Sequence, residues 1–336
     1  MQLQKMVTPT IKISLLVLIA SLFFTSCVEP IEFDPGDVSP YPVLVSRPCG
    51  DSTVSVYISK SRFFLANSSN VHALDDATVT LTVNGVPSAG VYDDGACNGY
   101  GGYLFPLLPR PGDSLRIEAL VPGFSDKVSA VTAIPQQPSF EIVDCVVDTN
   151  VQENWGNIQA KIRFKVNCSG PNEYYAVRIL KAFSASDTLN LDDLNFIVND
   201  PIVNNSNFED VLDGYNGSFW DREMFFSSEL FTGGSHEFTA VLEYWQGYWE
   251  SFSSNPFTLY LEVRALSPEL YRYIRTTGGP NSELDELFGE PVQVFCNIDG
   301  GIGIFGGYTI KRSGMPEVHY GHVDMPEQYY YKSTKK

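Results

Sequence analysis

Few residues in this chain could do chemistry, and their spacing decides how each is read. There are four histidines, His72, His236, His319 and His322. His319-x-x-His322 would put two imidazoles on one face of a helix, as a zinc site needs. Gly321 and the polar residues around it do not make a helix, and no carboxylate or cysteine completes the set. Ser235-His236 is adjacent rather than converging, and no G-x-S-x-G elbow occurs. Asp93-Asp94-Gly95 and Asp192, Asp193, Asp200, Asp210 and Asp213 supply oxygen atoms in number. They lack the D-x-[DN]-x-[DN]-G spacing of a calcium loop, and aspartate is also an ordinary turn residue. Gly300, Gly301, Gly303, Gly306 and Gly307 would cradle a phosphate only ahead of a helix, and Tyr308-Thr309-Ile310 reads as strand. The expectation is therefore a protein that is not an enzyme, with no catalytic, cofactor-binding or metal-ligating residue.

Cys27 is the exception. It follows the apolar run Ile13–Phe24, with Lys5 and Lys12 before the run and Thr25-Ser26 just ahead of the cysteine. The run is shorter than the ~20 residues a membrane span requires, so it reads as a cleaved export signal. A cysteine at the cleavage point is the lipidation site of a bacterial lipoprotein, although Phe24 stands where Leu is usual. The expected location is a membrane surface, through a lipid anchor. An exported chain can form disulfides. Cys49 and Cys97, both in polar Gly-containing loops, are the candidate pair, and Cys145, Cys168 and Cys296 stay unassigned. No C-x-x-C occurs.

A second candidate is the aromatic cluster Tyr244-Trp245-Gln246-Gly247-Tyr248-Trp249. Along a strand one aromatic pair could face out, and Tyr248 and Trp249 are the candidate interface residues. The competing reading makes Gly247 a turn, with the rings packed on neighbouring strands. The net charge of −18 excludes binding nucleic acid through its phosphates, which takes clustered Lys and Arg.

These residues need elements to hold them. Residues 1–26 form the signal and 27–40 a Pro- and acid-rich tether. From Tyr41 short alternating strands recur: Pro42–Ser46, Thr53–Ser59, Ala77–Val83, Gly102–Phe105, Ser114–Ala119 and Lys127–Ala133. Asn84-Gly85 is a tight-turn signal. The break at Ile134–Pro138 divides a first domain, 41–135, from a second, 136–312. The second has strands at Phe140–Val147, Ile158–Val166, Tyr174–Ala182, Phe238–Trp245, Phe257–Ala265, Pro291–Asn297 and Ile302–Ile310. Leu191, Leu194, Phe196 and Ile197 read as one short helix or as a packed loop. Ser267-Pro268-Glu269 opens a helix through Arg275, with Ser as N-cap and Pro at the first helical position. Residues 313–336 form a polar tail. The fold class is mainly β: two antiparallel, immunoglobulin-like sandwiches with one short helix near the C-terminus.

The ending Asn297-Ile298-Asp299-Gly300-Gly301-Ile302-Gly303-Ile304-Phe305 resembles the closing motif of a Bacteroidetes lipoprotein family, domain of unknown function 4249. Val54–Ser61 with Asp76–Leu81, Asn199-Asp200-Pro201 and Ser267–Tyr273 resemble that family's other motifs, in the same order. Ser227–Gly233 lacks the family's Asp, and Cys296 stands where a small polar residue is usual. The resemblance implies an outer-membrane lipoprotein, often encoded beside a TonB-dependent receptor, and implies no reaction. The expected function is a binding or accessory protein of such a transporter, its ligand unknown. The alternative is a surface protein binding glycans or peptides.

Overall fold

A computed structural model describes residues 39–62, 72–148, 157–182, 191–198, 200–206, 223–245, 258–277, 293–315 and 319–324. Cys27, Tyr248 and Trp249 lie outside them. From Pro40 onward the chain is one compact unit. Among the described residues it is mainly β, with four antiparallel or mixed sheets and three short helices, Ala96–Gly99, Pro201–Ser206 and Pro268–Thr277.

The first two sheets come mostly from the N-terminal half. One contains β1 (Pro42–Ser46), β2 (Val54–Lys60), β5 (Val91–Asp93) and β6 (Gly102–Phe105). The other contains β3 (Thr78–Val83), β4 (Val86–Ala89), β7 (Ser114–Leu120) and β8 (Val128–Ala133). Alternation explains both. Val54, Val56 and Ile58 of β2 face Val79 and Leu81 of β3 and Leu115 and Ile117 of β7 in a common core. Asn84 and Gly85 both have positive φ, 49° and 86°, which is the tight hairpin turn the dipeptide announces.

The other two sheets share a second core. One contains β9 (Ser139–Asp148), β10 (Asn157–Asn167), β13 (Phe196–Val198) and β15 (Ser235–Trp245). Its partner contains β11 (Tyr174–Ala182), β12 (Leu191–Leu194), β14 (Met224–Ser227), β16 (Thr258–Leu266) and β18 (Tyr308–Gly314). Phe164 and Phe238 of paired strands stack at a centroid distance of 5.4 Å, and Phe226 of the other sheet meets Phe238 at a tilt, 4.7 Å away. The segment expected as a helix or loop is instead β12 and β13. β12 pairs with β11 and β13 with β15, so strand partners override the weak local pattern.

The larger difference concerns the run Ile302–Ile310. It is not one strand. Its first part, β17 (Ile302–Phe305), lies parallel to β1 in the first sheet, and Gly306-Gly307 carries the chain over to β18 in another. Ile304 and Phe305 are both fully buried, on opposite faces. Phe305 enters the first core, and Ile304 enters a third cluster with Leu266, Leu270 and Ile274. The expected strand Pro291–Asn297 has no strand pairing over its described residues, 293–297. Asn297 uses its side chain instead. Its amide accepts from the Phe305 N–H at 3.0 Å and donates to the Phe305 carbonyl at 2.8 Å, closing the outer edge of β17.

Thr132 at the end of β8 ties this crossover to the helix. Its Oγ1 accepts from the Gly307 N–H and lies 3.2 Å from both Ser267 Oγ and Glu269 Oε2. Ser267 Oγ accepts from the Leu270 N–H at 3.3 Å, so the expected N-cap is in place. Past Arg312 the chain does not leave the fold at once. β19 (His319–Tyr320) adds in parallel to β9, and Val323 is buried.

Gly303 has φ of 127°, and a Cβ there would overlap the Leu44 carbonyl oxygen. Gly303→Ala should therefore destabilise by at least about 2 kcal/mol. Gly85→Ala, with a positive φ but open space around it, should cost about 1 kcal/mol. Urea midpoints of the two variants test this; equal losses would contradict the close approach of β17 to β1.

Candidate functional site

Strand β16 reads Thr-Leu-Tyr-Leu-Glu-Val-Arg-Ala-Leu, with two charges inside an apolar strand. Leu259, Leu261 and Val263 fill the second core, so Glu262 and Arg264 project from the other face of the sheet. Glu262 is fully buried. A buried carboxylate must be paired, and three arginines do this. Arg178 of β11 approaches Oε1 at 3.2 Å, Arg264 donates to Oε1 at 2.8–2.9 Å, and Arg312 of β18 donates to Oε2 at 3.1 Å. Burial alone would raise the Glu262 pKa. The three guanidiniums outweigh it and hold the carboxyl below the usual range. Arg178 also pairs with Asp193 of β12.

Glu223, just ahead of β14, is the second acid in this cluster. Its Oε1 lies 2.7 Å from Arg264 and 3.3 Å from Arg178, while its Oε2 is buried with no hydrogen-bond partner. Burial is the largest influence on it. The two arginines oppose that and Glu262 and Asp193 add to it, so the pKa is pushed up to about 7. The two acids differ because Glu262 has three cations on both its oxygens, and Glu223 has two on one.

Arg264 faces both ways. Behind it is this cluster; in front is a cleft of about 580 Å³. The first half of the chain lines it with Val45, Ser46, Arg47, Ser55, Tyr57 and Cys97, Asn98 and Tyr100; the second half adds Leu266, Leu270 and Tyr308. The Arg264 guanidinium stands 5.9 Å from the Tyr308 ring centroid. Cys97 and Asn98 occupy left-handed backbone, with φ of 50° and 61°, at a cost of about 1–3 kcal/mol each. Strain of this kind collects where a loop must aim its side chains at a site.

The structure does not join Cys49 to Cys97. Both are free thiols with different partners, Ser52 and Tyr308 for Cys49 and Ser55 for Cys97. Burial raises both thiol pKa values, so neither is an activated nucleophile. Cys145 is buried and pushed up to about 12. The histidines of the sequence motifs meet carboxylates: His236 lies 2.8 Å from Asp200, His319 3.9 Å from Asp144, and His322 3.0 Å from Asp148 and 3.2 Å from Asp324. Among the described residues no group of three or more His, Cys, Asp or Glu is arranged to hold a metal ion. Asp200 Oδ1 accepts from the Ile202 N–H and Asp93 Oδ1 from the Gly95 N–H, as turn aspartates do.

Sequence reasoning missed Arg47, Arg264, Tyr308, Glu223 and Glu262. The available signal was the pair Glu262 and Arg264 inside an apolar strand, since buried charges require partners.

Glu223 should leave a mark on stability. Its folded-state pKa lies above the ordinary 4.5, so the native state holds its proton over a range where the unfolded chain has lost it. The penalty is absent below about pH 4.5, grows through about pH 7 and is constant above. Glu223→Gln should therefore stabilise more at pH 8 than at pH 5, by on the order of 1–3 kcal/mol. Melting curves of both proteins at the two pH values check this; an equal offset at both would refute it.

Among solved structures, the chain is similar to two β-glucuronidase structures from Parabacteroides merdae, at 11% and 12% identity with TM-scores of 0.22 and 0.23. The match covers 68% of this chain and 23% and 24% of theirs, so the chain spans about a quarter of those enzymes, and a likeness this low carries no argument. No curated protein matches the chain. Residues 28–313 match the family described as Domain of unknown function (DUF4249). That is most of the sequence, and the chain belongs to this family.

Proposed function

We propose that the protein is a lipid-anchored accessory of the outer membrane that acts by binding, docking on a TonB-dependent transporter in nutrient uptake. On this reading each pair of sheets is an immunoglobulin-like sandwich. The observation that carries the proposal is the apolar run ending at Cys27. The compact unit starts at Pro40, the last residue of the Pro- and acid-rich stretch 28–40. A lipid at Cys27 would confine the chain to the plane of the membrane, and confinement raises the effective concentration of partners there, so a modest interface suffices. Tyr248 and Trp249 are its proposed anchors, because aromatic residues supply much of the energy in such contacts. Binding of a glycan or peptide is the second reading; the three phenols of the cleft, Tyr57, Tyr100 and Tyr308, favour it.

Palmitate should label the wild type and not Cys27→Ala, and the variant should move to the soluble fraction. A β-barrel receptor should copurify with the tagged protein from mild detergent. Tyr248→Ala with Trp249→Ala should lose the receptor at a nearly unchanged melting temperature. Equal labelling of both proteins would refute the anchor, and recovery of the lipoprotein alone would refute the docking.

A further inference from the structure

We propose that the cleft between the two halves is a binding site for a small organic carboxylate, anchored by Arg264 and Arg47. The inference stands whether or not the protein docks on a transporter. The chain has a net charge of −18, yet the cleft is lined by two guanidiniums and no carboxylate. Arg264 has five N–H groups. Its Nε donates to Glu262 and one N–H of Nη1 to Glu223, and Nη2 lies 2.8 Å from Glu262 Oε1. One N–H on each terminal nitrogen is left, which matches the two oxygens of a carboxylate. Arg47 is exposed at the same cleft, and both guanidiniums are close enough to the Tyr308 hydroxyl to favour its ionised form against burial, the larger effect.

The remaining walls select the body that carries the charge. Tyr57, Leu266 and Leu270 offer ring and aliphatic surface, and the volume is that of an ordinary small-ligand pocket. A bare inorganic anion would leave that surface in contact with water alone.

The acids behind Arg264 tune the site. Glu223 is faced by Arg178 and Arg264, and by the like charges of Glu262 and Asp193. Arg312 lies beyond, on Glu262. When Glu223 takes a proton, Arg264 loses one of its two counter-charges and attracts an external carboxylate more strongly. Affinity therefore rises as pH falls through about 7, and by linkage the bound anion raises the proton affinity of Glu223.

Calorimetric titration of the full chain in detergent with benzoate, benzyl alcohol and inorganic phosphate tests the site. Benzoate should bind saturably and about tenfold or more tighter than benzyl alcohol or phosphate. Arg47→Gln should weaken benzoate about tenfold, with a cooperative melting transition showing that the variant is folded. Wild type should bind benzoate several-fold tighter at pH 6 than at pH 8, and Glu223→Gln equally at both. Absence of saturable benzoate binding, equal binding of benzyl alcohol, equal binding of phosphate, or an unaltered Arg47→Gln affinity would each overturn the proposal. Receptor copurification is unaffected by any of these outcomes, so this site and the docking reading can fail separately.

Discussion

The structure depends on the parallel pairing of β17 with β1. In this register Val43 lies beside Ile302 and Ser46 beside Phe305, and consecutive side chains fall on opposite faces. Phe305 completes the core of the first two sheets, and Ile304 completes the cluster against the Pro268–Thr277 helix. One four-residue strand therefore contributes to two apolar clusters at once. The approach is possible because Gly303 has no Cβ to meet the Leu44 backbone. Gly306 and Gly307 have the same role one step later: a Cβ at either would press on the helix at Leu270 or on the Ala133 carbonyl. Asn297 then stands in for a missing neighbouring strand.

That crossover also makes the cleft. The halves meet through the helix, Thr132 and the glycine pair, so Tyr308 begins β18 directly beside the first half. Its N–H donates to the Pro48 carbonyl, and Cys49 forms a bridge with it. The cleft is bounded by elements that hydrogen bonds and packing hold in place. Ligand sites commonly lie at such junctions, where neither half alone can enclose a volume.

Electrostatics add the one tunable element. Replacing a buried ion cluster by apolar residues is often neutral or stabilising, so such clusters are weak evidence for stability. Here the cluster is uneven. Glu262 is satisfied on both oxygens, whereas Glu223 has a buried oxygen with no partner. The unevenness sits directly behind the arginine that opens on the cleft.

The sequence by itself determined what local physics determines. Alternation placed most strands: Tyr174–Ala182 and Gly102–Phe105 have the boundaries the pattern implies. Asn84-Gly85 forms its turn and Ser267 caps its helix, because those signals act within four residues. Four short motifs in their order pointed to the family that residues 28–313 match. Tertiary structure alone decided which strands are neighbours. Ile302–Ile310 is apolar and Gly-punctuated throughout, and nothing local says that its two parts belong to different sheets, since strand partners can be hundreds of residues apart. The same limit applies to the site. Leu191–Val198 became two strands through β11 and β15, and Arg47, Tyr308, Arg264 and Glu223 come together from distant parts of the chain. Spacing along a sequence carries chemistry only when a helix or a turn turns it into proximity. Here the proximity comes from one parallel strand pair.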